Sequence, residues 1–323
     1  MNIAILGYGT IGKGVYKIAE GRKDIVVKKI LEKKEKFDEK IIDLFTNDPY
    51  EIINDESIDL VVEVLGGYDF ARGLIVKALE NKKHVVTANK EIIAKDIDSL
   101  LEIAKNNNVT LLYEASVGGG IPIIKNLKEI TLVSKITKIT GILNGTTNFI
   151  LTKMSEGLEF NDALKLAQEK GFAEADPTAD LEGYDMMRKI AILADLAWNT
   201  KIEIEEIKHQ GIKQITSCDI NKAKENKQVI KFVCEAELID ETVNIGVSPK
   251  VFDASHFFAS VNNEFNAVIL ETYPNDTLTF IGKGAGSLPT ASAIISDIVD
   301  IINCKNIVIP FDCFGKKYLR QSL

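Results

Sequence analysis

Hydrophobic and polar positions fall into two textures along the chain. Over the first third, short runs that are apolar at nearly every position alternate with longer stretches whose apolar residues recur every three to four positions. Residues 2–6 (NIAIL), 25–31, 60–65 (LVVEVL), 84–87 and 109–113 read as strands, and 11–20, 70–81 and 95–107 as helices. A strand with no polar alternation is covered on both faces. Strands and helices alternating at this rhythm imply crossover units and a parallel sheet.

The texture changes at Val117, where Gly118-Gly119-Gly120-Ile121-Pro122 punctuates the chain. Helical spacing returns at 160–170 and 185–199, while 227–238, 242–247 and 266–271 are β-like and no longer alternate with helices. This predicts an α+β domain with its own antiparallel sheet. A glycine cluster at 282–286 precedes an apolar helix over 290–302, which needs a partner surface and is expected to pack back on the first domain. The expected fold class is thus α/β, a Rossmann-type parallel-sheet domain (1–128, with 287–323 packing back) plus an α+β catalytic and dimerisation domain (129–286).

Composition narrows the function. A chain of 323 residues exceeds one ordinary core and suits two. Asp and Glu (47) outnumber Lys and Arg (39), a formal charge of −8, which argues against a nucleic-acid or anionic-membrane partner. No run of about 18 apolar residues occurs, and the N-terminus lacks the basic region and cleavage site of a leader, so a cytoplasmic location is expected. Cys218, Cys234, Cys304 and Cys313 form no C-x-x-C pair, and His84, His209 and His256 are widely spaced. That pattern suits a reducing compartment and no His/Cys metal site; Cys304 and Cys313 are expected to be buried, inert thiols rather than a crosslinked pair.

Gly7-Tyr8-Gly9-Thr10-Ile11-Gly12 fits G-x-G-x-x-G after a strand and before a helix. Gly7 serves a tight turn, Gly9 lets backbone approach a pyrophosphate, and Gly12 allows close helix–strand packing. At the end of the next strand Glu32 suits a ribose 2′-hydroxyl, whereas Lys33 and Lys34 suit a 2′-phosphate, so both NAD and NADP stay open. Between 174 and 189 come Glu174, Asp176, Asp180, Glu182, Asp185 and Lys189. Asp185 and Lys189 share one helix face at i,i+4, either as a surface ion pair or, beside Met186, Ile190 and Leu193, as the rim of a site for an ammonium-bearing substrate. Lys90 follows a strand at the carboxyl edge where ligands of open α/β sheets bind, although an exposed loop lysine reads equally well. Asn144-Gly145-Thr146-Thr147-Asn148 is a polar turn that caps a helix or holds an anion.

Together these segments resemble the homoserine dehydrogenase family. Residues 167–189 (AQEKGFAEADPTADLEGYDMMRK) match its signature, and 87–90 (TANK), 114–122 (EASVGGGIP), 141–148 (GILNGTTN) and 282–286 (GKGAG) resemble further blocks in family order. The resemblance implies NAD(P)-dependent interconversion of L-homoserine and L-aspartate 4-semialdehyde, on the route to threonine and methionine. It implies catalytic roles for Lys189 and Lys90, and substrate binding by Glu174 and Asp185 with Asp180 nearby. It also implies cofactor contacts from Gly7, Tyr8, Gly9, Thr10, Ile11, Gly12, Leu65, Lys90, Gly171 and Gly284, with Lys33 in place of the usual arginine. A monovalent cation such as sodium would be held by Glu114, Val117, Gly119 and Ile121. A small-molecule substrate and a homodimer are implied as well. Because the chain stops at Leu323 without a C-terminal regulatory domain, threonine feedback through such a domain is not expected.

Overall fold

In a computed structural model the described residues are 1–304 and the strand Leu319–Ser322. They form two compact units. One comprises Met1–Pro122 and a return segment from Ala285; the other comprises Ile123–Gly284 together with Leu319–Ser322. Nothing is described of Cys313, and the chain's last strand lies in the second unit's sheet, whereas the sequence reading groups all of 287–323 with the first domain.

The first unit holds six strands: Asn2–Leu6 (β1), Val26–Leu31 (β2), Phe45–Thr46 (β3), Leu60–Glu63 (β4), His84–Thr87 (β5) and Leu111–Leu112 (β6). They are all parallel, in the order β3-β2-β1-β4-β5-β6. This is the doubly wound dinucleotide-binding order, whose strand direction of travel reverses between β1 and β4. Ile3, Ala4, Ile5 and Leu6 are fully buried, as are Val61, Val62, Val85 and Val86, because crossover helices leave no strand face for water. The return helix Ser287–Ile302 completes this core: Ala291, Ile294, Ile295, Ile298 and Ile301 pack with Ile3, Ile5, Val15, Ala19 and Ile30. Helix Thr10–Glu20 meets it so closely that a Cβ at Gly14 would lie 2.7 Å from the Ser287 carbonyl and 3.0 Å from Ala291 Cβ.

The second unit's sheet is built from Lys135–Ile142 (β7), Lys208–His209 (β8), Gln228–Ile239 (β9), Thr242–Asp253 (β10), Phe265–Tyr273 (β11), Asp276–Lys283 (β12) and Leu319–Ser322 (β13). Its order is β12-β11-β7-β9-β10-β13, with β8 also on β10. The sequence reading expects an antiparallel sheet. The central pairs are antiparallel, but β8 and β13 lie parallel to β10, so the sheet is mixed at that edge. Helix Tyr184–Trp198 is buried along Met186, Ile190, Leu193 and Ala194 and contacts β7, β9 and β10.

Candidate active site

In the first unit the glycine turn has the backbone that its motif requires. Gly7 sits at φ +104°, and a Cβ there would come within 2.8 Å of the Val64 carbonyl. At Gly12 a Cβ would lie 2.0 Å from the Gly7 carbonyl, so side chains are excluded where helix Thr10–Glu20 crosses the turn. Gly9 is different: nothing stands within 4 Å of its Cβ position, and it caps the helix without a side-chain acceptor. The helix's first N–H groups thus face an open cradle, the arrangement that receives a pyrophosphate. Thr10 and Ile11 begin that helix, and the buried Tyr8 ring packs edge-on against Phe45 at 5.0 Å.

Glu32 is a brace for this turn. Its Oε2 accepts from the Tyr8 N–H at 3.0 Å and its Oε1 from the Lys33 N–H at 2.9 Å. Partial burial works against the charge, but the two backbone donors with Lys36 and Lys33 bring the carboxyl below its ordinary range. Lys33 follows at the head of a short turn, Lys34–Lys36.

Lys90 is the first residue of helix Lys90–Asn106 rather than a loop residue, since that helix begins five positions before the apolar spacing suggests. Asn89 accounts for the early start: its Oδ1 accepts from the Ile92 N–H at 3.2 Å and caps the first turn. The same amide donates to the Gly67 carbonyl at 2.7 Å, joining the turn after β5 to the turn after β4, where Leu65 lies. Further on, Glu114 is 1% exposed and opens the turn Glu114–Ser116; its N–H donates to Asp297 Oδ2 of the return helix at 2.9 Å. Val117 and Ile121 are buried, and Gly119 has φ +57°. Among the described residues no cluster of three His, Cys, Asp or Glu could hold a metal.

In the second unit the acid–lysine constellation is anchored on the helix Gly145–Ser155. Its cap, Asn144, accepts the Thr147 N–H at 2.9 Å on Oδ1 and donates through Nδ2 to both Asp180 Oδ1 (2.7 Å) and Asp185 Oδ2 (3.0 Å). Asp185 and Lys189 face each other in the first turns of Tyr184–Trp198, with Lys189 Nζ 2.9 Å from Asp185 Oδ2. The ammonium also donates to the Leu143 carbonyl at 2.7 Å. Lys189 and Asp185 are 8% and 5% exposed, which removes the reading of this pair as a solvated surface bridge. Two of the ammonium's three N–H groups are thereby committed.

The structure does not bring every candidate into that cluster. Glu174 is exposed, with its carbonyl accepting from Gln168 Nε2 at 3.1 Å. Asp176 lies just before the short helix Thr178–Leu181, its Oδ1 accepting from the Thr178 N–H and hydroxyl. Gly171 (φ +75°) ends the preceding helix, and the loop after it is tied down by the Thr146 hydroxyl on the Phe172 carbonyl at 2.6 Å. Gly284 is held against β11: a Cβ there would overlap Asn266 Nδ2 at 1.8 Å. Among the cysteines, Cys234 is buried and its thiol is pushed up to about 12 by desolvation, whereas Cys218 is exposed and so is Cys304, contrary to the expectation of a buried thiol there. Asn144 is the site residue that the sequence alone shows only as part of a polar turn.

Comparison with known proteins gives the family. Residues 122–299 match the family model described as homoserine dehydrogenase, and 7–114 match its NAD-binding domain. The homoserine dehydrogenase of Bacillus subtilis (strain 168) is 39% identical over 99% of this chain and 81% of its own length. The crystal structure of a homoserine dehydrogenase from Thiobacillus denitrificans superposes with a TM-score of 0.92 at 33% identity, covering 100% of this chain and 79% of that one. A hyperthermophilic archaeal homoserine dehydrogenase in complex with NADPH superposes at 0.81 with 27% identity, covering 94% and 98% respectively. The chain belongs to the homoserine dehydrogenase family, the NAD(P)-dependent oxidoreductases that interconvert L-homoserine and L-aspartate 4-semialdehyde.

Proposed function

We propose that Lys189 is the proton-transferring residue of this dehydrogenase, with Asp185 orienting it and Asn144 orienting Asp185. The observation that carries this reading is the buried ammonium of Lys189, held by two acceptors at 2.7 and 2.9 Å with one N–H left over. NAD(P), when bound, exchanges a hydride with the terminal carbon of the substrate. As the aldehyde oxygen gains negative charge, Lys189 donates its remaining N–H, stabilises the oxyanion and gives up the proton, leaving homoserine's hydroxyl. In the opposite direction the neutral amine takes the hydroxyl proton. Lys90 is the second lysine of the reaction, and Glu174 with Asp180 receives the substrate's α-ammonium.

Gly7, Gly9 and Gly12 with Tyr8, Thr10 and Ile11 would hold the pyrophosphate, and Leu65, Lys90, Gly171 and Gly284 the remainder of the cofactor. Glu32, ionised and braced beside Lys33, favours the ribose diol of NAD over a 2′-phosphate. A sodium ion would take an all-oxygen set, largely backbone carbonyls, from Glu114, Val117, Gly119 and Ile121, which suits a hard cation. A homodimer is favoured by apolar side chains left exposed on the second sheet: Val251 (55%), Tyr273 (74%) and Ile281 (52%). No helix among the described residues is long and apolar enough to cross a membrane, and a cytoplasmic location fits a biosynthetic enzyme.

Absorbance at the reduced-nicotinamide band, with homoserine and either NAD or NADP, tests the cofactor reading. A higher kcat/KM with NAD is expected; a preference for NADP would hand the discriminating role to Lys33. Light scattering that gave a monomer would remove the dimer.

A further inference from the structure

Glu63, the last residue of β4, is a buried carboxylate that the reaction above does not use. It is 0% exposed and stands in register with Thr87, the last residue of β5. The Thr87 hydroxyl donates to Oε2 at 2.5 Å, and the Leu65 N–H donates to Oε1 at 2.9 Å. The Gly66 N–H and the Asn89 amide add to this set, so the charge is held by neutral donors. Burial nonetheless pushes its pKa above the ordinary glutamate value. A buried charge without a countercharge is costly, so its retention depends on the donors gathered around it.

The network runs from this carboxylate into both turns at the end of the sheet. Thr87 Oγ1 accepts the Asn89 N–H at 2.9 Å, Asn89 reaches the Gly67 carbonyl at 2.7 Å, and its cap sets the helix that Lys90 begins. Gly66 and Gly67 are both left-handed (φ +78° and +73°), so the turn after β4 has no repeating hydrogen-bond pattern of its own to define its path. The same turn abuts the glycine fingerprint, with the Val64 carbonyl against Gly7. Only an acceptor with several lone pairs can take all these donors at once; a glutamine at this position would present an NH2 to one of them.

We propose that Glu63 is a positioning residue of the dehydrogenase: through Thr87 and Asn89 it locks the Leu65–Gly67 turn and the Lys90 helix start at one spacing, and so fixes the wall that receives the cofactor. This rests on the reading of Leu65 and Lys90 as cofactor-site residues. The test compares Glu63→Gln, Thr87→Val, Thr87→Ser and Lys90→Ala. The readouts are the Kd for reduced cofactor, from quenching or enhancement of its fluorescence, and separate KM values for cofactor and homoserine. Glu63→Gln and Thr87→Val are expected to raise the cofactor Kd about tenfold while the homoserine KM moves less than twofold. Thr87→Ser, which keeps the hydroxyl, should return the Kd to within twofold of the parent. If Lys90→Ala weakens cofactor binding but folded Glu63→Gln and Thr87→Val bind normally, the positioning role is overturned. If Lys90→Ala also leaves Kd and kcat unchanged, the cofactor-site reading itself fails. Should Glu63→Gln not fold, the Thr87 pair decides: equal weakening by valine and serine overturns the proposal.

Discussion

Glu63 and Asp185 are both buried carboxylates at the working end of their units, yet the chain answers their charges in opposite ways. Glu63 is surrounded by neutral donors from two turns, whereas Asp185 faces a lysine one helical turn on and accepts from the Asn144 amide. Neutral donors fix a shape and have no proton to give near neutral pH. An ammonium–carboxylate pair lowers the cost of burying both charges and keeps a transferable proton in place. On the proposed roles one arrangement builds a wall and the other performs chemistry; sequence shows the first as a lone acid in an apolar run and the second as one acid of a cluster.

That contrast is open to attack at several points. The largest effect is expected from Lys189→Ala, which should lower kcat by about 10²–10⁴-fold with little change in cofactor affinity. Steady-state turnover within threefold of the parent would leave Asp185 no more catalytic than Glu63.

Lys231 offers a second probe of unpaired burial, this time of a cation. It is 3% exposed, donates to the Val261 carbonyl at 2.6 Å and to Asn262 Oδ1 at 3.0 Å, and desolvation lowers its pKa from 10.5 to about 8. Between those two values the unfolded chain retains a proton that the folded chain has shed. Stability contributed through this group therefore rises as pH climbs across the window, by about 3 kcal/mol at most. Urea unfolding at pH 7.5 and pH 10 should show the rise, and the difference between parent and Lys231→Met isolates it from other groups. A difference that stays flat with pH would mean that the oxygen acceptors of Lys231 offset its desolvation.

The smallest effect sharpens the role of an exposed acid. Glu174→Gln should raise the homoserine KM by several-fold and leave kcat near the parent value; an unchanged KM would take Glu174 out of the substrate site.

Much of the first unit is legible in the sequence because its strands are buried on both faces, so apolar runs such as NIAIL stand out. The limits are physical as well. Phe45–Thr46 is too short to carry a pattern, and the start of helix Lys90–Asn106 depends on a side-chain cap that spacing does not register. In the second unit, β7 (KITKITGI) and β12 (DTLTFIGK) interrupt their apolar positions with lysine, threonine and glycine, and neither is recognised as a strand. The Asp185–Lys189 spacing is visible as an i,i+4 pair, but its burial is not. Nor is the link that Asn144 makes to two acids 36 and 41 positions away. Glu63 is hidden inside LVVEVL, where a lone acid in a buried strand invites no reading until Thr87 is found beside it.

The close seat of Ser287–Ile302 against Thr10–Glu20 and β1 bears on how the chain is made. On the ribosome, the first 122 residues emerge well before the helix that fills their remaining apolar groove. Until roughly 180 further residues have been translated, that nascent segment presents Ile3, Val15 and Ala19 without their final cover, a period in which assistance from a holdase chaperone would matter most.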